Sequence, residues 1–372
     1  MPERARAVRE PPLHVARGLP FGGPRLFYAL KVVDMECTFC EWLCNLDADS
    51  GGVCRMYRAD GNEIRERFPD QWSYSVSRME ALPFYHVYPD SRTLTIGTRG
   101  CNFNCRYCSN AYIALEDPDK ATDHIYTLTP EALIDMALKL NCRNIVFNVN
   151  EPVVSIPGLL RLKKAADNAG LPMGCLTNAY GTEESTEILA SIFDFMNIGL
   201  KGFTSDFYKE YIGVSNVDPI LRNIRALARI RHIEVTTPII QGVNDGDIDA
   251  IAAFLSDIDP EIPWHVFRLL PEHEMKDHDY PGIEKISATL DTARKKLRYV
   301  YFHNFVGSDW VNTLCPGCGM EVIERLSLGC GGDKLDEFHC IDNCCPKCGQ
   351  NIRMHGHISM KPLKTSKSRL AT

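Results

Sequence analysis

From about residue 92 onward, near-continuous apolar runs alternate with amphipathic stretches, and this alternation limits the fold more than any other feature of the chain. "TLTIGT" reads as a strand. "TPEALIDMALKLN" reads as a helix with Thr129 as N-cap, Pro130 at the first helical position and Glu131 in the first turn. "NIVFNV" is the next strand, and "IPGLLRLKKAADNAG" the next helix, closed by Gly170. The pattern continues through strand "PMGCLTN", helix "STEILASIF", strand "FDFMNIGL", helix "PILRNIRALARIR", strand "HIEVTTPII" and helix "GDIDAIAAFLSDI". "WHVFRLL" and "RYVYFHN" add strands around a helix near 283–297. Strands apolar on both faces imply a parallel sheet covered by helices. About six strand–helix units precede the last strand, too few for a closed eight-fold barrel, so the fold expected is α/β, a partial (β/α)6 barrel. Ligands of such sheets gather at the carboxyl ends of the strands.

The 16 cysteines are the second constraint. No apolar stretch follows "MPERARAVREPP", and no run of 18 apolar residues occurs, so neither a secretory signal nor a spanning helix is expected. The expected location is cytoplasmic, where thiols stay reduced. Metal or cluster ligands then fit these cysteines better than disulfides. A net charge of −7 argues against nucleic acid or an anionic membrane as partner.

"TIGTRGCNFNCRYCSN" places Cys101, Cys105 and Cys108 directly after the first strand. A disulfide takes two sulfurs and a structural zinc takes four ligands. Three thiolates suit a 4Fe–4S cluster with one iron left open, and Tyr107 can shield it. Asn150, Glu151 and Pro152, and also Thr177 and Asn178, fall at neighbouring strand ends. Cys37, Cys40, Cys44 and Cys54 offer four thiolates within 18 residues, enough for structural zinc, iron or a second cluster. "CPGCG" and "CCPKCG" are paired knuckles whose best four ligands are Cys315, Cys318, Cys345 and Cys348, a zinc-ribbon-like set. Cys330, Cys340 and Cys344 are surplus to it. Cys142 and Cys175 stand apart and read as small buried apolar residues.

The expected organisation is a disordered or extended N-terminus (1–25), an N-terminal Cys-rich region (26–90), the barrel (91–306), a C-terminal Cys-rich domain (307–358) and a basic tail (359–372).

The cysteine triplet with its aromatic Tyr107, "NEP" at 150–152 and "LTN" at 176–178 resemble the radical S-adenosylmethionine (radical SAM) superfamily. "MNIGLKGF", "EVTTPIIQGVND", "PWHVFRLLPEHEM", "NTLCPGCG", "CTFCEWLC" and "PFYHVYP" resemble AmmeMemoRadiSam-type members, relatives of glycyl-radical-activating enzymes. The resemblance covers about residues 37 to 350. It implies a 4Fe–4S cluster on Cys101, Cys105 and Cys108 whose open iron chelates S-adenosylmethionine. One electron from a donor then splits the sulfonium to a 5′-deoxyadenosyl radical. Glu151, in the Asn150-Glu151-Pro152 motif, would meet the cofactor's ammonium and Thr177-Asn178 its ribose, while Lys201 would pair with a carboxylate. Two departures stand out: Glu41-Trp42 replaces the usual Pro-His, and Gly199 replaces an acidic residue.

The reaction the resemblance implies is modification of an sp3 carbon of a protein or peptide. The first expectation is cobalamin-dependent C-methylation, as in archaeal enzymes acting on a glutamine of methyl-coenzyme M reductase, with Gly199 leaving room for the corrin. The D-x-H-x2-G cobalamin signature is absent. The alternative is hydrogen abstraction from a partner protein, in the manner of glycyl-radical-activating enzymes.

Overall fold

The computed structural model describes residues 35–48, 51–121 and 123–356. The expected N-terminal segment 1–25 and basic tail 359–372 lie outside these described residues. The apolar runs pair in chain order. Strands β2 (Arg92–Gly97), β3 (Asn144–Phe147), β4 (Met173–Thr177), β5 (Phe195–Gly199), β6 (His232–Ile239), β7 (Trp264–Arg268) and β8 (Val300–His303) lie side by side, each parallel to the next. Every residue of β3 and β5 is buried, as strands covered on both faces require.

Six helices connect them: α1 (Pro130–Lys139), α2 (Ile156–Ala169), α3 (Glu183–Ile192), α4 (Asp218–Ala228), α5 (Ile248–Ile258) and α6 (Ile283–Ala293). The six strand–helix units and a last strand are therefore present. Local signals operate as expected. Thr129 Oγ1 accepts from the Ala132 amide at 3.2 Å, and Gly170 ends α2 in the left-handed region at φ 65°. Leu133 and Leu159 from the helices and Ile145, Phe147, Ile198 and Val235 from the strands share the barrel core with no exposure.

The sheet has an edge that the strand–helix rhythm does not announce. Strand β1 (Gln71–Arg78), from the segment assigned to the N-terminal Cys-rich region, pairs antiparallel with β2, and the short strand Tyr126–Thr127 pairs beyond it. An antiparallel edge on an otherwise parallel sheet is common in large mixed sheets. After β8, strands β9 (Thr313–Leu314), β10 (Glu321–Ser327) and β11 (Asp333–Phe338) form a separate antiparallel sheet that carries the late cysteines. Among the described residues, no helix is long and apolar enough to cross a membrane.

Candidate active site

The carboxyl ends of β2 to β5 surround a cavity of about 310 Å³. At the end of β2, Gly97 lets two strands meet at backbone distance. A Cβ there would fall 2.5 Å from the Asn148 carbonyl oxygen. The chain then enters the cysteine loop, and Asn150 fixes its start. Its Oδ1 accepts from the Thr98 amide at 2.9 Å, while Nδ2 donates to Thr98 Oγ1, Arg99 O and Gly100 O at 2.8–3.0 Å. The far end is tied by Asn110 Nδ2, which donates to Val149 O at 2.9 Å. Val149 itself sits at φ 83°, a strained conformation for a β-branched residue that the surrounding hydrogen bonds must hold. Asn104 and Arg106 donate their amides to Ile212 O and Tyr211 O, docking the middle of the loop.

Cys101, Cys105 and Cys108 thereby face the cavity together. Burial pushes all three thiols up, Cys105 to about 12, while the Lys201 charge pulls Cys105 and Cys108 the other way. Such thiols give up their protons readily only to a cation that binds sulfur. Three sulfur donors from one loop, with no other cysteine lining the cavity, fit a 4Fe–4S cluster that keeps one iron open. Tyr107 is buried beside them, its hydroxyl without a hydrogen-bond partner among the described residues.

Glu151 is buried at the cavity wall and is an acceptor three times over. Thr177 Oγ1 donates to it at 2.8 Å, the Asn178 amide at 2.6 Å and the Val153 amide at 3.2 Å. Burial nevertheless pushes its carboxyl up to about 7, against the pull of those donors and of Lys201. A carboxylate held this way, in a cavity with a second charge nearby, can receive an ammonium group.

Three strand ends have neighbours that the sequence does not show. Asn150 lines the cavity and directs its whole amide to the cysteine loop, so it also supports the cluster site. Thr177 and Asn178 line the cavity, but their polar atoms are committed to protein: Thr177 to Glu151 and Ala179, Asn178 to Asn102 and Tyr180. They position Glu151. The third concerns Gly199, where a Cβ would lie 2.5 Å from Lys201 Nζ. The space beside Gly199 is thus shared with the movable end of the Lys201 side chain.

Sequence reasoning passed over Asn102, Asn197, Thr236 and Phe267. Asn197 donates to Pro83 O at 2.6 Å and accepts from Thr236 Oγ1 at 2.8 Å, closing the cavity floor. Their signal was available: Asn197 and Gly199 on β5, opposite Glu234 and Thr236 on β6, form a two-residue period of polar or small side chains within apolar strands.

The late knuckles converge as expected. The sulfurs of Cys315, Cys318, Cys345 and Cys348 all lie within 4.8 Å of one another, with Cys315 to Cys348 at 3.5 Å and Cys318 to Cys345 at 3.7 Å. Four sulfurs about 2.3 Å from one tetrahedral zinc stand about 3.8 Å apart, so the set fits a single ion. Cys330 is exposed, and neither it nor Cys340 nor Cys344 joins this group.

Comparison with known proteins agrees with this geometry. The Radical SAM superfamily model matches residues 95–255. The uncharacterized protein MJ0808 of Methanocaldococcus jannaschii is 28% identical over 324 residues, covering 86% of this chain and 95% of that one. The isethionate sulfite-lyase activating enzyme of Oleidesulfovibrio alaskensis is 28% identical over 145 residues, 38% of this chain and 45% of its own length. Among solved structures, a domain of pyruvate-formate lyase-activating enzyme from Bacteroides vulgatus is 23% identical, with a TM-score of 0.37, covering 43% of this chain and 98% of its own. Residues 95–255, which supply the three-cysteine loop, Glu151 and Lys201, are a radical SAM domain.

Proposed function

We propose that this radical SAM enzyme breaks S-adenosylmethionine reductively and takes a hydrogen atom from an sp3 carbon of a protein or peptide segment, in the manner of an activating enzyme. The observation that carries the reading is the cavity in which Cys101, Cys105 and Cys108 face buried Glu151. The cluster and its cofactor supply the electron transfer and the radical; the chain supplies binding, orientation and exclusion of water. The three cysteines hold the cluster. Glu151 receives the cofactor's ammonium, and Lys201 faces its carboxylate. Tyr107 covers the sulfurs against solvent. The activating enzyme among the relatives supports a protein partner, and the chemistry requires an external one-electron donor.

Cobalamin-dependent C-methylation, with a glutamine of a protein such as methyl-coenzyme M reductase as target, is the second reading. Its support is the acidic residue lost at Gly199. Against it, a cavity of about 310 Å³ is at the small end for a single ligand, and Lys201 occupies the space above Gly199. Hydroxocobalamin added to the anaerobically reconstituted protein, followed by desalting, decides between them. Loss of all corrin absorbance, with 5′-deoxyadenosine as the cofactor product, supports hydrogen abstraction. Retained corrin together with S-adenosylhomocysteine establishes methyl transfer.

The Glu151 carboxyl gives a pH signature. Its raised value, about 7, means that the acid is mostly neutral below that pH and charged above it. Affinity for a cationic ligand should therefore fall roughly five- to tenfold from pH 7 to pH 6. Equilibrium dialysis of S-adenosylmethionine over this range measures it, and Glu151→Gln should bind weakly with the slope removed.

A further inference from the structure

We propose that Cys37, Cys40, Cys44 and Cys54 hold a second metal centre, bound through thiolates and seated against the cysteine loop of the radical SAM site by way of Asn102. This does not depend on the function proposed above.

The four cysteines line one small hollow with Tyr57, Val153 and Val154. Val153 and Val154 follow Glu151 directly in the chain after Pro152, so the hollow backs onto the wall of the cofactor cavity. All four are free thiols, and Cys37 and Cys40 are buried.

What distinguishes them from ordinary buried cysteines is the backbone around each sulfur. The amides of Phe39, Trp42 and Met56 lie against Cys37, Cys40 and Cys54, in each case from two residues further along. The Val53 amide donates to Cys44 Sγ at 3.5 Å. The same two-residue pattern appears where Phe103 donates to Cys101, at 3.5 Å, and where Gly317 donates to Cys315, at 3.4 Å. Amides aimed at sulfur favour the thiolate, and an apolar hollow opposes it. A cation shared by the four sulfurs would resolve that opposition in favour of the thiolate.

The backbone is bent to make this convergence. Leu43, Gly52 and Arg55 all lie in the left-handed region, at φ 44°, 63° and 58°. Leu43 and Arg55 carry side chains that disfavour this region, so the surrounding structure must hold them there. The Cys37 amide donates to Cys44 O at 2.7 Å, closing the first turn.

Asn102 joins the hollow to the radical SAM site. It follows Cys101 in the chain, and its side chain lies against Cys40. Its carbonyl oxygen accepts from Trp42 Nε1 at 2.8 Å, and its Oδ1 accepts from Asn178 Nδ2 at 2.7 Å. Trp42, one of the two residues by which this chain departs from its relatives at this point, is thus the latch between the two groups. Loading the hollow fixes Asn102, and with it Cys101 and the Asn178 support of Glu151.

The four sulfurs are not drawn within 4.8 Å of one another as those of the late knuckles are, so the centre takes a thiophilic metal as an iron–sulfur cluster, or as an ion that draws them in. Metal and acid-labile sulfide are measured on the anaerobically prepared full chain and on three variants: Cys37→Ser/Cys40→Ser, Cys315→Ser/Cys318→Ser, and the Cys101, Cys105 and Cys108 triple serine variant. Each variant should lose one centre and keep the other two. Loss of metal without sulfide at Cys37/Cys40 assigns a single ion, and loss of both assigns a cluster; either supports the site. Unchanged metal and sulfide in that variant overturns it. Should the variant fail to fold, thiol alkylation of the native chain read by mass spectrometry serves instead. Cys37, Cys40, Cys44 and Cys54 should be protected when loaded and labelled after chelation, and equal labelling in both states refutes the centre.

Discussion

Cys105→Ala should abolish cleavage of S-adenosylmethionine, leaving 5′-deoxyadenosine at least 10³-fold below wild type, a loss of about 4 kcal/mol of barrier lowering or more. The size follows from geometry. Cys105 is the middle sulfur of a loop whose two ends are fixed by Asn150 and Asn110, and no other cysteine reaches the cavity to replace it. Two remaining thiols cannot hold three irons. Cys105 is only half-buried, so removing its sulfur should cost the fold little. The melting temperature should stay within a few degrees while the brown iron–sulfur absorbance is lost. Glu151→Gln is the complementary control, because it should keep the cluster and lose the cofactor. A Cys105→Ala protein that cleaved the cofactor at the wild-type rate would show that the loop does not carry the cluster.

Much of this arrangement was written locally. Thr129 and Gly170 bound their helices because caps depend on neighbouring residues, and the cysteine loop could be read because its spacing and the preceding strand are contiguous. The late knuckles could be read for the same reason. What was not readable depends on approach between distant segments. Asn150 reads only as part of a strand-end motif, but its four hydrogen bonds reach residues 98 to 100, some fifty positions earlier. Gly199 suggested space because sequence shows a missing side chain and not the neighbour that moves into it. Strand β1 was assigned to a separate region because antiparallel pairing with β2 leaves no mark on the strand–helix rhythm.

The least legible feature is a buried hydrogen-bond chain beneath the cavity, and it governs a second large effect. Glu234 on β6, His265 on β7 and His303 on β8 are buried, and nothing local in the sequence says that they meet. His265 Nε2 lies 2.5 Å from Glu234 Oε2, His265 Nδ1 lies 3.0 Å from His303 Nε2, and His303 Nδ1 lies 2.8 Å from Asp333 Oδ2 on β11. Glu234 also accepts the amides of Tyr85 and His86 at 3.0 Å. Burial alone would raise its carboxyl, but hydrogen bonds from His232 and His265 outweigh that and hold it well below the usual range. One carboxylate thus stitches the 85–86 segment to β6 and β7, and the chain continues through His265 and His303 on β8 to the C-terminal sheet.

Glu234→Ala removes the acceptor of two buried amides and the partner of His265 at once, which should cost roughly 3–5 kcal/mol of stability in urea unfolding. Glu234→Gln keeps an acceptor and the volume and should cost less. An alanine variant within 1 kcal/mol of wild type would mean that the chain contributes little to stability. The same chain makes the protein acid-sensitive. Burial lowers His303 to about 4, so between the ordinary histidine value of 6.5 and that point the unfolded chain takes up a proton that the folded one refuses. Stability is therefore full above 6.5 and falls as pH drops, by on the order of 3 kcal/mol from this residue. Glu234, being depressed, adds a further loss below 4.5. His303→Asn cannot titrate. It should be less stable at pH 7, having lost part of the hydrogen bonding that His303 makes to Asp333, Tyr85 and His265, yet its stability should fall with a slope up to one proton shallower between pH 6.5 and 4. Metal loss in acid affects both proteins alike, so the difference in slope isolates the imidazole; identical slopes would place the acid sensitivity elsewhere.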